Sequence, residues 1–184
     1  GYVMREMEAL TEENDWTPEW KSESYDESAL NMRIKKVKFG TATKPKTMKD
    51  WFYACRNLIE INTTGLDTSE CESFYCTFYH CFEFPGCDIR GWGTDKLTNM
   101  GSTFSSCRKW LDLCEQVNTW DTSNVWQFSG AFGNLTLEEI HLTIDTSSAT
   151  WMSATFAYAV GTKVIDIPNF DTRLVEEFPH MFGS

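Results

Sequence analysis

Residues 67–81 read DTSECESFYCTFYHC, and this stretch decides the fold because similar stretches recur along the chain. One phenylalanine recurs at spacings of 26, 26, 28, 24 and 26 residues, as Phe52, Phe78, Phe104, Phe132, Phe156 and Phe182. An Asp-Thr pair lies eleven residues before four of them, starting at Asp67, Asp121, Asp145 and Asp171. Two independent landmarks in one register establish an internal repeat of about 26 residues.

The apolar spacing within a unit predicts a helix followed by a strand. In the second unit the apolar positions fall on one face of a helix of about three turns: Cys71, Phe74, Thr77, Phe78 and Cys81. The Asp-Thr-Ser landmark precedes this helix, where short side-chain oxygens accept hydrogen bonds from free backbone N–H groups. A short alternating segment follows in each unit and predicts a strand, at 59–62, 111–113, 140–142 and 165–167.

Such a unit cannot bury its own apolar face, so successive units are expected to stack into a solenoid. The strands would form a parallel sheet on one side and the helices a layer on the other. The repeats occupy residues 41–184, and residues 1–40 are predicted to form an N-terminal cap segment whose part 32–39 starts the sheet. The stacking predicts a continuous buried ladder of Phe78, Phe104, Phe132 and Phe156.

Several residues carry a family resemblance: Asp121-Thr122-Ser123-Asn124-Val125, Met181-Phe182, and Cys55, Cys81 and Cys107 after their phenylalanines. The pattern resembles the BspA-like leucine-rich repeat proteins, in the 26-residue variant first described as a mycoplasma family of unknown function. The resemblance implies an α/β fold, a leucine-rich-repeat-like solenoid of five to six units. It also implies an extracellular or cell-surface protein of bacteria, used for adhesion or recognition, with no catalytic residues and no cofactor.

Composition narrows the functional classes. The chain has 184 residues, 41% of them hydrophobic, and a net charge of −11, which argues against a nucleic-acid partner. The basic stretch 31–50 is short and fits a solvated strand edge better. No apolar run reaches the ~18 residues that a membrane helix needs, so no membrane span is expected.

The chemistry-bearing residues give no pattern typical of an enzyme, and we expect a non-catalytic protein. The three histidines lie in different repeats, and no phosphate loop or metalloprotease motif occurs. Of the seven cysteines, Cys55, Cys81 and Cys107 are predicted to stack in the core, reduced and without metal, with Cys71 and Cys87 also at core positions. The other two, Cys76 and Cys114, lie off the core pattern and are candidates for exposure.

A candidate ligand surface follows from the alternation of the strands. Residues between the inward Ile and Leu side chains point outward, and they are Glu60, Asn62, Asp88, Asp112, Glu139, His141 and Asp166. Stacking would place them in one acidic stripe on the sheet face, with a preference for basic ligands or a divalent metal. We expect a protein or carbohydrate ligand there. The alternatives are a merely solvated sheet face, and a chain that serves as a structural spacer or an assembly subunit of a surface appendage or phage particle.

Overall fold

The computed structural model describes residues 29–40, 43–176 and 178–183. In chain order the elements are α1 (Leu30–Arg33), β1 (Lys36–Lys38), β2 (Glu60–Asn62), α2 (Leu113–Val117), β3 (Glu139–His141) and β4 (Val164–Asp166). The first 28 residues, including much of the predicted cap segment, lie outside the described residues. No helix in the described part is long and apolar enough to cross a membrane.

The predicted leucine-rich-repeat-like solenoid of five to six helix-turn-strand units is wrong. In the described ranges the only helices are α1 and α2, which are four and five residues long. The strands form two separate two-stranded parallel sheets, β1 with β2 and β3 with β4, rather than one continuous sheet. Most other described residues lie in turns and irregular structure.

The segments predicted as helices are series of tight turns. In the second unit the Thr77 N–H donates to Phe74 O at 3.0 Å, inside a turn, whereas the Phe78 N–H donates to Thr103 O at 2.9 Å, in the next unit. The same link to the following unit is made by the N–H groups of Phe52, Phe104, Phe132 and Phe156. An α-helix would use all of these groups internally, four residues back. Backbone donors are instead divided between local turns and the neighbouring unit.

Left-handed residues explain why no helix can form there. Cys76 and His80 have φ angles of 54° and 60°, and Ser102 and Ser106 repeat this in the next unit with 52° and 69°. Each such conformation costs a non-glycine residue about 1–2 kcal/mol and reverses the chain direction within the turn. The hydrogen bonds to the neighbouring unit offset this cost.

The sequence repeat corresponds to turns stacked in register. Parallel bridges join equivalent positions of successive units: Thr47 with Ser73, Ser73 with Asn99, Asn99 with Gln127, and Gln127 with Trp151. Below them the phenylalanines stack face to face; Phe78 and Phe104 have ring centroids 5.9 Å apart and planes 8° apart. Phe78, Phe104, Phe132 and Phe156 are all buried, so the predicted ladder is confirmed.

Buried threonine hydroxyls tie the turns together. The Thr103 hydroxyl lies 2.9 Å from Phe74 O in the preceding unit and 2.8 Å from Met100 O in its own turn. Thr77 and Thr155 make the equivalent contacts in their units. The hydroxyls of these three residues are therefore satisfied inside the core.

The Asp-Thr-Ser landmark stabilises a turn rather than a helix start. Asp67 accepts a hydrogen bond from the Ser69 N–H at 2.9 Å, and Asp121 accepts one from the Ser123 N–H at 3.0 Å. Bonding to Ser69 holds the pKa of the Asp67 carboxyl below its usual range. The predicted hydrogen bond from a backbone N–H to the aspartate side chain is present, but the segment that follows it is a turn and not a helix.

Three of the four predicted strand segments are strands, at β2, β3 and β4. The fourth, 111–113, is wrong, because the chain there turns and enters α2, and Leu111 is exposed. The predicted first strand is shorter than 32–39, since α1 takes its beginning and β1 covers only Lys36–Lys38. Phe39 follows β1 and packs its ring 5.8 Å from that of Trp51, over the first turn series.

Candidate functional site

The outward positions of β2 and β3 are occupied as predicted. Glu60 and Asn62 are exposed on either side of buried Ile61, and Glu139 and His141 flank buried Ile140 in the same way. In the pairing of β1 with β2, Lys36 lies opposite Glu60, and the two side chains form an ion pair. Asn62 turns to its own loop, where its Oδ1 accepts a hydrogen bond from the Thr64 N–H at 2.9 Å.

Asp88 and Asp112 lie on no strand, and Arg90 brings them together. Its guanidinium Nη1 is 3.3 Å from Asp88 Oδ1, and its Nη2 is 3.3 Å from Asp112 Oδ2. Helix α2 supports this arrangement through Gln116, whose Nε2 donates to Asp112 Oδ2 at 3.0 Å and whose Oε1 accepts the Ile89 N–H at 2.8 Å. One buried glutamine therefore fixes the carboxylate against the backbone of the preceding unit.

His141 joins the two strands of the second sheet. Its Nε2 is 3.0 Å from Glu139 Oε2, and its Nδ1 is 3.3 Å from Asp166 Oδ2 on β4. Hydrogen bonding to Glu139, and then to Asp166, raises the pKa of the imidazole above its usual value. Asn118, just after α2, donates to His141 O at 3.0 Å and so positions the strand from the other side.

The expected acidic stripe is therefore wrong as a continuous, unpaired row. Five of the seven candidate residues lie on two separate sheets, and Asp88 and Asp112 lie on no strand. Each carboxylate has a basic neighbour: Lys36, Arg90 or His141. Pairing removes the repulsion from which the preference for a basic ligand or a divalent metal was inferred. Within the described residues there is no group of three or more His, Cys, Asp or Glu side chains placed to hold a metal ion.

Six of the seven cysteines are buried, including Cys71, whereas Cys87, also predicted at a core position, is only half-buried against the core. Cys55, Cys81 and Cys107 are buried and free, and burial raises the pKa of the Cys55 thiol to about 12. The expected exposure of Cys76 and Cys114 is wrong, because both are buried. Left-handed backbone at Cys76 turns its side chain inward, and α2 carries Cys114 into the core.

A family profile matches this chain in two overlapping segments, residues 23–136 and 111–184. The family is described as "Mycoplasma protein of unknown function, DUF285". The chain belongs to this family. The two overlapping matches of one profile agree with the internal repeat. Neither curated proteins nor solved structures gave a match to the chain.

The DUF285 repeat also carries a group of side chains that the sequence analysis missed. Arg56, Phe82 and Arg108 occupy one repeat position in three successive units, spaced by 26 residues. Both arginine guanidinium groups lie over the Phe82 ring, with Cζ 5.3 and 5.0 Å from its centroid. The signal was present in the spacing, but a position that alternates between arginine and phenylalanine does not register as apolar or as charged.

Proposed function

We propose that the chain is a non-catalytic recognition or adhesion module of a bacterial surface or secreted protein, and that it binds a protein or glycan partner. The observation that carries this proposal is the exposed network on the strand side: Glu60 with Lys36, Asp88 and Asp112 with Arg90, and Glu139 and Asp166 with His141.

These side chains form an ordered polar surface rather than a set of independent charges. Arg90 and His141 each bridge two carboxylates across the unit boundary, and Gln116 holds Asp112 from beneath. A surface of alternating sign that is held in place before binding loses little side-chain entropy on contact with a partner. Complementary charge then gives specificity and steers the encounter.

The resemblance to BspA-like proteins supports the extracellular location and the adhesive role. The matching family supplies no function of its own, since its description states that the function is unknown. Exposed aromatic side chains add to the same proposal, because Trp126 and Trp151 are each 41% exposed and Tyr158 is 59% exposed. Aromatic rings with polar edges suit protein and carbohydrate surfaces.

A combined glycan and protein array, followed by charge reversal, tests the proposal. We expect specific retention of at least one partner, and the triple variant Asp88→Lys, Asp112→Lys, Asp166→Lys should weaken it about tenfold or more, because charged hydrogen bonds are lost. The matched control is Glu70→Lys, Glu72→Lys, Asp95→Lys, which changes the net charge equally and should stay within about twofold of the original affinity. A chain that retains nothing specifically would contradict recognition. A partner that binds the first triple variant normally would place the site elsewhere.

The second candidate, an assembly or spacer subunit, is favoured by the last unit. Phe178 and Phe182 are 53% and 59% exposed, although Met152 and Phe156, at the same repeat positions one unit earlier, are buried. Sedimentation velocity over a range of concentrations tests this function. Self-association that disappears in the variant Phe178→Ser, Phe182→Ser would favour assembly, whereas a monomer at all concentrations would count against it.

A further inference from the structure

A surface without charged side chains follows the bridged positions of the second to the fifth unit. The positions five and three residues before the repeated phenylalanine hold Ser73, Tyr75, Asn99, Gly101, Gln127, Ser129, Trp151 and Ser153. None of them is charged, although the chain has 16 basic and 27 acidic residues. Positions two residues apart share one side of an extended chain, so these eight residues form one surface, termed the neutral face.

Parallel bridges hold half of the neutral face in one row. They join Ser73 to Asn99, Asn99 to Gln127, and Gln127 to Trp151. Each step of such a row is about 4.8 Å, so the three steps from Ser73 to Trp151 cover about 14 Å along the stack. The neutral face is therefore a straight surface with a regular spacing.

The two amide side chains of the row are fixed by their own turns. Asn99 Oδ1 accepts a hydrogen bond from the Gly101 N–H at 2.9 Å, and Gln127 Oε1 accepts one from the Ser129 N–H at 2.8 Å. The amide nitrogens, Asn99 Nδ2 and Gln127 Nε2, have no acceptor among the residues that the structure describes. Each amide group thus offers its N–H donors to a ligand, one step of the stack apart.

An aromatic side chain lies near each end of the neutral face. Trp151 follows Gln127 in the row and is 41% exposed. At the other end Tyr75 lies beside Gly101, where an added Cβ would be 3.0 Å from Tyr75 Cδ2 and 3.2 Å from Gln127 Cγ. Lys49 Nζ is 5.5 Å from the centroid of the Tyr75 ring and marks where the charged surface begins. Trp151 is therefore the ring that a ligand meets without a charged neighbour on the face.

The neutral face suits a sugar better than a peptide or a charged polymer. Its backbone carbonyls are already paired, since the Phe74 N–H donates to Asn99 O and the Met100 N–H to Gln127 O, both at 2.9 Å. A peptide that binds as an added strand needs such groups open, and a charged partner gains nothing from complementary charge here. Sugar hydroxyl oxygens accept hydrogen bonds from amide N–H groups, and the C–H face of a sugar ring packs on an indole.

We propose that the neutral face binds a linear, uncharged polysaccharide that runs along the stack. Its hydroxyl oxygens accept hydrogen bonds from the Asn99 and Gln127 amides, and one sugar ring packs on the Trp151 indole. A linear polymer presents the same groups at regular intervals, as the row does. This inference rests on the proposed recognition function and gives it one ligand class, at a surface separate from the strand-side network.

The test is a calorimetric titration of the full chain with cellohexaose and with chitohexaose. Glucose, a heparin oligosaccharide and poly-glutamate are the comparison probes. We expect at least one neutral hexasaccharide to bind, and glucose to bind about tenfold or more weakly, because a single sugar contacts only one step of the row. Affinity for the neutral hexasaccharide should not change with salt concentration, since no ion pair forms.

Three variants locate the binding surface. Trp151→Ala should weaken hexasaccharide binding about threefold to tenfold. Tyr158→Ala is the matched control and should stay within about twofold, because it removes a ring of the same unit that is 59% exposed but lies outside the neutral face. Gln127→Glu keeps the acceptor for the Ser129 N–H but replaces the amide donors with a charge, and it should weaken binding about fivefold or more. Thermal unfolding checks that each variant is folded.

Several outcomes would overturn the inference. Hexasaccharide binding that Trp151→Ala and Gln127→Glu leave unchanged is one, and an equal loss in Tyr158→Ala is another, because it would indicate non-specific contact with exposed rings. Heparin, poly-glutamate or protein binding that depends on Trp151, with no binding of a neutral sugar, would assign the face to that partner. A chain that retains other partners on the array but no neutral glycan would overturn this inference and leave the proposed function standing.

Discussion

The third and the last units fill the same repeat positions with the same kinds of side chain, yet they bury them very differently. Phe104 and Met100 are fully buried, whereas their equivalents Phe182 and Phe178 are 59% and 53% exposed. Phe182 nevertheless stacks on Phe156 at 5.7 Å, as the inner phenylalanines do on their neighbours. Burial at a position therefore depends on the unit that follows it, and not on the residue alone.

Truncating Phe104 and Phe182 should give the largest difference in stability between the third and the last unit. Phe104→Ala removes a ring packed on both faces and should lower the free energy of unfolding by about 3–5 kcal/mol. Phe182→Ala removes a ring covered on one face and should cost less than about 1 kcal/mol. Chemical denaturation measures the free energy of unfolding of both variants. Equal losses would show that the last unit is covered as completely as the third.

Gly130 and Ser102 occupy one repeat position, and replacing them should change stability by smaller amounts in opposite directions. Gly130 has a φ of 67°, and a Cβ added there would lie 2.9 Å from Ser102 Oγ, so Gly130→Ala should lower stability by about 1–2 kcal/mol. Ser102 has the same left-handed backbone, with a φ of 52°, and Ser102→Gly should raise stability by up to about 0.5 kcal/mol. Thermal unfolding compares the two. A stabilising Gly130→Ala would refute the left-handed turn series.

The buried hydroxyl of Thr103 should contribute about 1 kcal/mol. Thr103→Val keeps the volume and removes the hydroxyl that lies between Phe74 O and Met100 O, two carbonyls of successive units. The exposed Thr136, whose hydroxyl donates to Arg108 O at 2.7 Å, is the control, and Thr136→Val should cost about 0.5 kcal/mol or less. Urea unfolding curves separate the two, and a larger loss at Thr136 would contradict the core role of Thr103.

The smallest effect is a pH dependence at the last strand pair. Hydrogen bonds to Glu139 and Asp166 raise the pKa of His141 in the folded state. Its stabilising contribution is thus complete below the unfolded pKa of about 6.5 and is lost as pH rises through the higher folded pKa. NMR titration should show the raised value, and Asp166→Asn should lower it. A pKa that this variant leaves unchanged would mean that His141 does not link β3 to β4.

Sequence reasoning located the repeat, the phenylalanine ladder and the outward positions of β2 and β3, but it assigned the wrong backbone to each unit. Positions such as Phe74, Thr77, Phe78 and Cys81 lie on one side of a helix and also on one side of overlapping turns, so apolar spacing alone does not distinguish the two. At the candidate site, Glu60 and His141 are placed as expected. Arg90 was missed as the residue that joins Asp88 to Asp112, because its contact with Asp112 spans two units.

The sequence by itself determined the period of about 26 residues, the identity of the buried rings and the hydrogen bond from a backbone N–H to Asp67 and its equivalents, since these depend on side-chain chemistry within one unit. The tertiary structure decided where the backbone hydrogen bonds go. The Phe78 N–H finds its acceptor at Thr103, in the next unit, and that choice replaces a helix with turns. It also decided which charges are neutralised, because ion pairs such as Arg90 with Asp112 form only when units stack. Contacts within a unit can be read along the chain, whereas contacts between units depend on how the units pack.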